Sequence, residues 1–246
     1  MKNILSLFVA VVTTVGVNSS FSAQTYTDSS SDIGAVGDAG GTANFLSAEV
    51  SDTSTDLIFK LNLNGSVATT NWAKFMIGIS TSPTGNTSTG NGWSRPIRVN
   101  SPNGGINFWI GSWVDSGGGT ELYGCNPSPT PVWSLLGASY NSNLPNVNLS
   151  AGNSLIYTIS RAALGLTSTS DVTIYFDAFS SGGGGGDGAI DALSTSSVSM
   201  ANWGDTTTIS SPLSYTVSGI PEPSSSLLMG LGLAGLAVLR RARKNA

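Results

Sequence analysis

Apolar and polar residues alternate through the middle of this chain in short runs. Over 56–63, Leu57, Phe59, Leu61 and Leu63 fall on one side, with Ile58, Lys60 and Asn62 on the other. Ala73, Phe75, Ile77 and Ile79 alternate likewise. So do Ile106, Phe108, Ile110 and Val114, then Leu155, Tyr157 and Ile159, then Val172, Ile174, Phe176 and Ala178. A period of two bounded by Gly, Asn, Ser and Pro predicts strands, because successive strand side chains point to opposite faces. Shorter candidates lie at 45–50, 97–99, 132–135 and 213–217. Only 160–166 reads as a helical turn, with Ser160 placed to cap it and Gly165 to end it. About eight antiparallel strands at this spacing predict an all-β fold, a single jelly-roll-like sandwich of two sheets.

The two ends break this pattern. Ile4 to Val17 is almost unbroken apolar sequence after Met1-Lys2, followed by Ser20-Phe21-Ser22-Ala23. A short charged start, an apolar core and small residues for cleavage predict a secretory signal peptide over 1–22, helical in its apolar part. At the other end stand Pro221-Glu222-Pro223, then apolar sequence over 227–239 with Leu227, Leu228, Leu231, Leu233, Leu236 and Leu239, then Arg240, Arg241, Arg243 and Lys244. Each proline fixes its own φ and pushes the preceding residue to extended geometry, so 220–223 cannot be helical, whereas the apolar segment can form a short helix. Thirteen apolar residues rise only about 20 Å as a helix, against a hydrocarbon core of about 30 Å. The basic end favours the cytoplasmic side. A short, glycine-weakened span held this way predicts transient membrane insertion.

Pro-Glu-Pro, apolar segment and basic end, in that order, resemble the PEP-CTERM sorting domain of Gram-negative bacteria. The resemblance covers residues 220–246, about a tenth of the chain. It implies recognition of Pro221, Glu222 and Pro223 by exosortase, a membrane-embedded cysteine transpeptidase. It further implies passage through the secretion machinery, removal of the tail, and delivery to the cell surface or extracellular matrix, where biofilm is built.

Without both ends, residues 23–219 form one domain of ordinary size. Five basic residues (Lys60, Lys74, Arg95, Arg98 and Arg161) face thirteen acidic ones, a net charge of −8. Such a surface argues against nucleic-acid binding, which needs clustered cations. The chain has no His, which removes the commonest general base and metal ligand. Cys125 is the sole cysteine and cannot form an internal disulfide; it reads as a small buried hydrophobe rather than an activated nucleophile. No catalytic residues and no required cofactor are expected.

The segment around Trp93, Arg95 and Arg98 and the run 106–114 hold three of the six tryptophans. On that run Asn107, Trp109 and Trp113 face away from Ile106, Phe108 and Ile110. Flat aromatic faces beside Arg95, Arg98, Asn107 and Asp115 suit sugar rings and would make a polysaccharide platform. The alternative is that the tryptophans pack under a covering loop. Oxygen ligands for a structural Ca²⁺ occur in two groups, Asp28, Asp32 and Asp38, and Asp187 and Asp191, without EF-hand spacing. The glycine run 182–186 lacks the helix and Lys of a phosphate cradle and reads as a surface loop.

The start from Asp32 to Asp38, the run Ser160-Arg161-Ala162-Ala163-Leu164-Gly165 and the Ala189-Ile190-Asp191-Ala192 stretch resemble DOMON-like sandwiches, relatives of carbohydrate-binding modules. This implies a non-catalytic binding body; a purely structural surface protein is the alternative, and a carboxylate-based glycoside-active enzyme a remote one.

Overall fold

The computed structural model describes residues 23–83, 87–126, 130–140, 152–195, 198, 200–220 and 240. The expected signal peptide, and the sorting segment apart from Ile220 and Arg240, lie outside the described residues, as do their expected helices. Among the described residues no helix is long and apolar enough to cross a membrane.

Among the described residues there are thirteen strands: β1 (Gln24–Thr27), β2 (Phe45–Asp52), β3 (Asp56–Leu63), β4 (Lys74–Ser80), β5 (Ile97–Val99), β6 (Phe108–Trp113), β7 (Gly119–Asn126), β8 (Val132–Tyr140), β9 (Ser154–Ser160), β10 (Val172–Ser181), β11 (Ala189–Ala192), β12 (Thr207–Ile209) and β13 (Leu213–Val217). One sheet runs β1-β2-β3-β9. The larger runs β11-β10-β4-β6-β7-β8, with β13 also paired to β10. Every pair in these two sheets is antiparallel, whereas β5 and β12 pair in parallel outside them. The expectation of an all-β, two-sheet arrangement therefore holds in class. The sheets are unequal, one pair is parallel, and 160–166 is a succession of turns rather than helix. Those turns are closed by Ala163 N–H to Ser160 O (3.1 Å) and Leu164 N–H to Arg161 O (3.2 Å).

Alternation decides which faces meet. In β3 and β9 every second residue is buried: Leu57, Phe59, Leu61 and Leu63, then Leu155, Tyr157 and Ile159. They close on Phe75, Ile77, Ile79, Ile110, Ile174 and Phe176 of the larger sheet. Ring contacts bridge the layers: Phe59–Phe176 at 5.1 Å, Tyr26–Phe176 at 5.2 Å and Phe45–Phe75 at 6.5 Å. Tyr157 carries a polar tip into this core, and burial raises its phenol far above the usual range. Its hydroxyl is matched by Ser112 Oγ at 2.7 Å, so the tip is not orphaned.

The larger sheet is also covered on its other face. Met76, Trp109 and Phe179 are fully buried there, although they alternate with the inter-sheet residues. Their cover is built from Ile97, Val99, Ile106, Met200 and Ile209, supplied by β5, β12 and neighbouring loops, with Ile190 of β11 packed among them. Ile106 belongs to this outer layer and not, as its spacing implied, with Phe108 and Ile110. It precedes β6, and its side chain lies over Gly78, where a Cβ would stand 3.3 Å from Ile106 Cδ1.

Candidate functional site

Most of the expected aromatic platform is structural. Trp109 is fully buried, its ring stacked 6.0 Å from Phe179, and it offers no face to a ligand. Trp93 is half-buried and lies flat over Gly111, where a Cβ would meet the indole, which is why glycine is required there. Trp93 Nε1 donates to Glu121 Oε2 at 2.6 Å, and Trp113 is tilted against it at 6.3 Å. The Arg95 guanidinium sits 5.4 Å from the Trp93 ring centre and donates to Ser181 Oγ (2.7 Å) and the Asp187 carbonyl (3.2 Å). Burial draws its pKa down, with Asp187 opposing.

Asn107 and Asp115 are similarly engaged. Asn107 Oδ1 accepts the Thr81 and Ser82 N–H groups at 2.8 and 3.2 Å, although the residue borders an open cleft of about 480 Å³ shared with Cys125, Leu136 and Leu164. Asp115 is paired with Lys74 at 2.8 Å, and Arg98 is exposed on β5. Cys125 is half-buried on β7, and burial pushes its thiol up, away from the nucleophilic form.

An exposed aromatic pair lies elsewhere. Trp72 and Trp203 are 38% and 41% exposed and meet edge-to-face at 6.1 Å. Trp203 rests against Gly182 at the mouth of the glycine hairpin between β10 and β11. Lys74 Nζ donates to the Trp72 carbonyl at 3.1 Å, beside its pairing with Asp115. Neither tryptophan lies on a strand, so no periodicity marked them.

The acidic residues are regrouped relative to their sequence clusters. Asp187 Oδ2 accepts the Gly184 N–H within its own hairpin, and Asp38 Oδ1 accepts the Gly40 N–H. Asp191 instead joins Asp28 and Asp32.

The domain closes at its C-terminal end on a buried ion pair. Arg161, 2% exposed, donates from Nη1 to Asp52 Oδ2 (3.3 Å) and the Thr53 carbonyl (2.8 Å). It also donates from Nη2 to the Ser218 carbonyl (2.6 Å) and from Nε to the Leu166 carbonyl (3.1 Å). Asp52 also accepts Tyr215 Oη–H (2.6 Å) and the Ser218 N–H (3.1 Å). Beyond it, the Gly219 N–H reaches Asp171 Oδ1 at 2.8 Å and the Ile220 N–H reaches the Ser168 carbonyl at 2.9 Å. The chain is therefore fastened up to the residue before Pro221.

At that point the sequence changes character, and residues 219–244 match the family model described as the PEP-CTERM protein-sorting motif. The chain carries a PEP-CTERM sorting signal. No curated protein and no solved structure matches the chain. The PEP-CTERM match makes this an exported protein with an exosortase-type sorting machinery as its partner. The motif's Pro221, Glu222 and Pro223, its apolar leucines and all its basic residues except Arg240 lie outside the described residues; Arg240 is exposed.

Proposed function

We propose that this is a non-catalytic surface or matrix protein, released from its signal peptide after Ser22 and from its sorting tail after the Pro-Glu-Pro motif. The match at residues 219–244 carries this reading. The acidic, Lys-poor body fits an environment outside the cell and not a nucleic acid. A structural role is supported by how the polar groups are spent. Asp52 serves Arg161, Asp115 serves Lys74, Glu49 serves Lys60, Asp177 serves Ser194, and Glu121 serves Trp93 and Tyr123. Intact-mass measurement of the protein recovered from its host tests the processing. The expected mass lacks residues 1–22 and the segment after Pro223; a chain that keeps residues 224–246 overturns the reading.

A second reading, contact with polysaccharide, is favoured by the exposure of Trp72 and Trp203. Two indoles meeting at an angle, with Lys74 and Asp115 nearby, offer apolar faces and polar partners to a sugar. The body's sequence resemblance to DOMON-like sandwiches, relatives of carbohydrate-binding modules, points the same way. A glycan array on the exported protein tests this. Binding lost in both Trp72→Ala and Trp203→Ala supports it, and an array without signal leaves the structural role alone.

A further inference from the structure

The loop after β1 gathers carboxylates that form no ion pair with a Lys or Arg among the described residues. Asp28 directly follows β1, its N–H bonded to the Leu46 carbonyl at 2.9 Å. The loop is stitched to β11 through Gly34 N–H to the Ile190 carbonyl at 2.7 Å. There β11 presents Asp191, whose oxygens accept the Phe45 N–H (2.7 Å) and the Ala192 N–H (2.8 Å). One carboxylate oxygen from each of Asp28, Asp32 and Asp191 lies within 4.8 Å of the other two.

What marks this cluster is lack of satisfaction. Asp32 is 6% exposed, and both its carboxylate oxygens are buried without a hydrogen-bond partner. Asp28 Oδ2 is in the same condition. So is Asn44 Oδ1, on a side chain whose Nδ2 is anchored to the Ser30 carbonyl of the same loop at 2.9 Å. Buried polar groups are almost always paired, and a buried carboxylate needs a donor or a counter-charge. Among the described residues the ion pairs of Lys60, Lys74 and Arg161 serve other acids.

We propose that Asp28, Asp32 and Asp191, with the Asn44 amide oxygen, bind a divalent cation of the Ca²⁺ class. The donors are all hard oxygens, and no imidazole exists in the chain to favour a transition metal. A large cation accepting six to eight oxygens suits three carboxylates and an amide, with water completing the shell. Bound there, it joins the β1 loop, the start of β2 and β11.

The test uses the full chain after chelator treatment. Equilibrium dialysis against ⁴⁵Ca²⁺ should give one saturable site, with a dissociation constant of about 1 mM or tighter, and Ca²⁺ should raise the melting temperature by several degrees. Asp32→Asn should weaken binding at least about tenfold while leaving the metal-free protein as stable or more stable, since a like charge is gone. Asp38→Asn, in the same loop but outside the cluster, should bind as the unaltered chain does. No saturable binding, or equal binding by both variants, overturns the proposal. Should Asp32→Asn fail to fold, Asp28→Asn replaces it, and dialysis of the unaltered chain decides.

Discussion

Replacing Arg161 by Met tests how the sandwich is closed. The methionine chain fills the space of the aliphatic stem but donates nothing. Four hydrogen bonds disappear, leaving the carbonyls of Leu166, Thr53 and Ser218 and one oxygen of Asp52 short of a donor. Asp52 keeps Tyr215 and the Ser218 N–H, so its carboxylate is weakened rather than orphaned. The ion-pair contact itself is long, at 3.3 Å, and most of the loss comes from desolvated oxygens. Removing one partner of a buried pair costs about 3–5 kcal/mol, and the same range is expected here. For a domain near 200 residues that lowers the melting temperature by about 6–20 °C. Denaturant unfolding followed by circular dichroism measures it, with an unchanged m-value showing that only stability has moved. Adding Asp52→Asn should cost less than the two single losses together, because the first change has already broken the pair. A loss below about 1 kcal/mol for Arg161→Met would mean that water replaces the guanidinium, and the reasoning fails.

Three further outcomes follow from the same packing. Trp109→Ala should cost about 3–5 kcal/mol in denaturant unfolding, because the residue is fully buried against Phe179; a loss near zero would return it to the surface. Gly111→Ala should cost about 1–3 kcal/mol and shift the tryptophan fluorescence, because the new methyl occupies the place of the Trp93 ring; an unchanged spectrum argues otherwise. The phenol of Tyr26, whose hydroxyl donates to the Ser214 carbonyl at 2.5 Å, is pushed up to about 12 by burial. Its contribution to stability is therefore complete below pH 10 and lost as the pH rises through about 12. Ultraviolet titration should show Tyr26 lagging together with the buried Tyr157 and Tyr215, and Tyr26→Phe should remove one phenol from that late group.

Strands β3 and β9 were legible because one face of each meets an apolar core, so burial writes a period of two into the residues, and β4 and β10 keep an alternating apolar row against the other sheet although both their faces are buried. β7 was not, because Leu122 stands among Gly, Thr, Glu and Tyr, and its outer neighbours pair with Trp93 through Glu121 rather than forming an apolar row. β11 reads Ala-Ile-Asp-Ala with every residue buried, so no alternation survives. The fate of Trp109 was undecidable from its own strand. Alternation assigns it to the second face, but β5 and β12, more than a hundred positions apart, decide that this face is covered. Distance in sequence likewise hid the meeting of Asp191 with Asp28 and Asp32. The sorting signal was legible because its three parts are contiguous and need no partner elsewhere in the chain.

The fastening of Ser218 to Ile220 also gives the body two poles. β10 begins at Val172, paired with Val217 near the tail, and ends at Ser181, paired with Lys74 beside the glycine hairpin and Trp203. Ten residues of strand measure roughly 30 Å. The arginine clasp and the tryptophan pair therefore mark opposite ends of that strand, and a partner that grips one leaves the other clear.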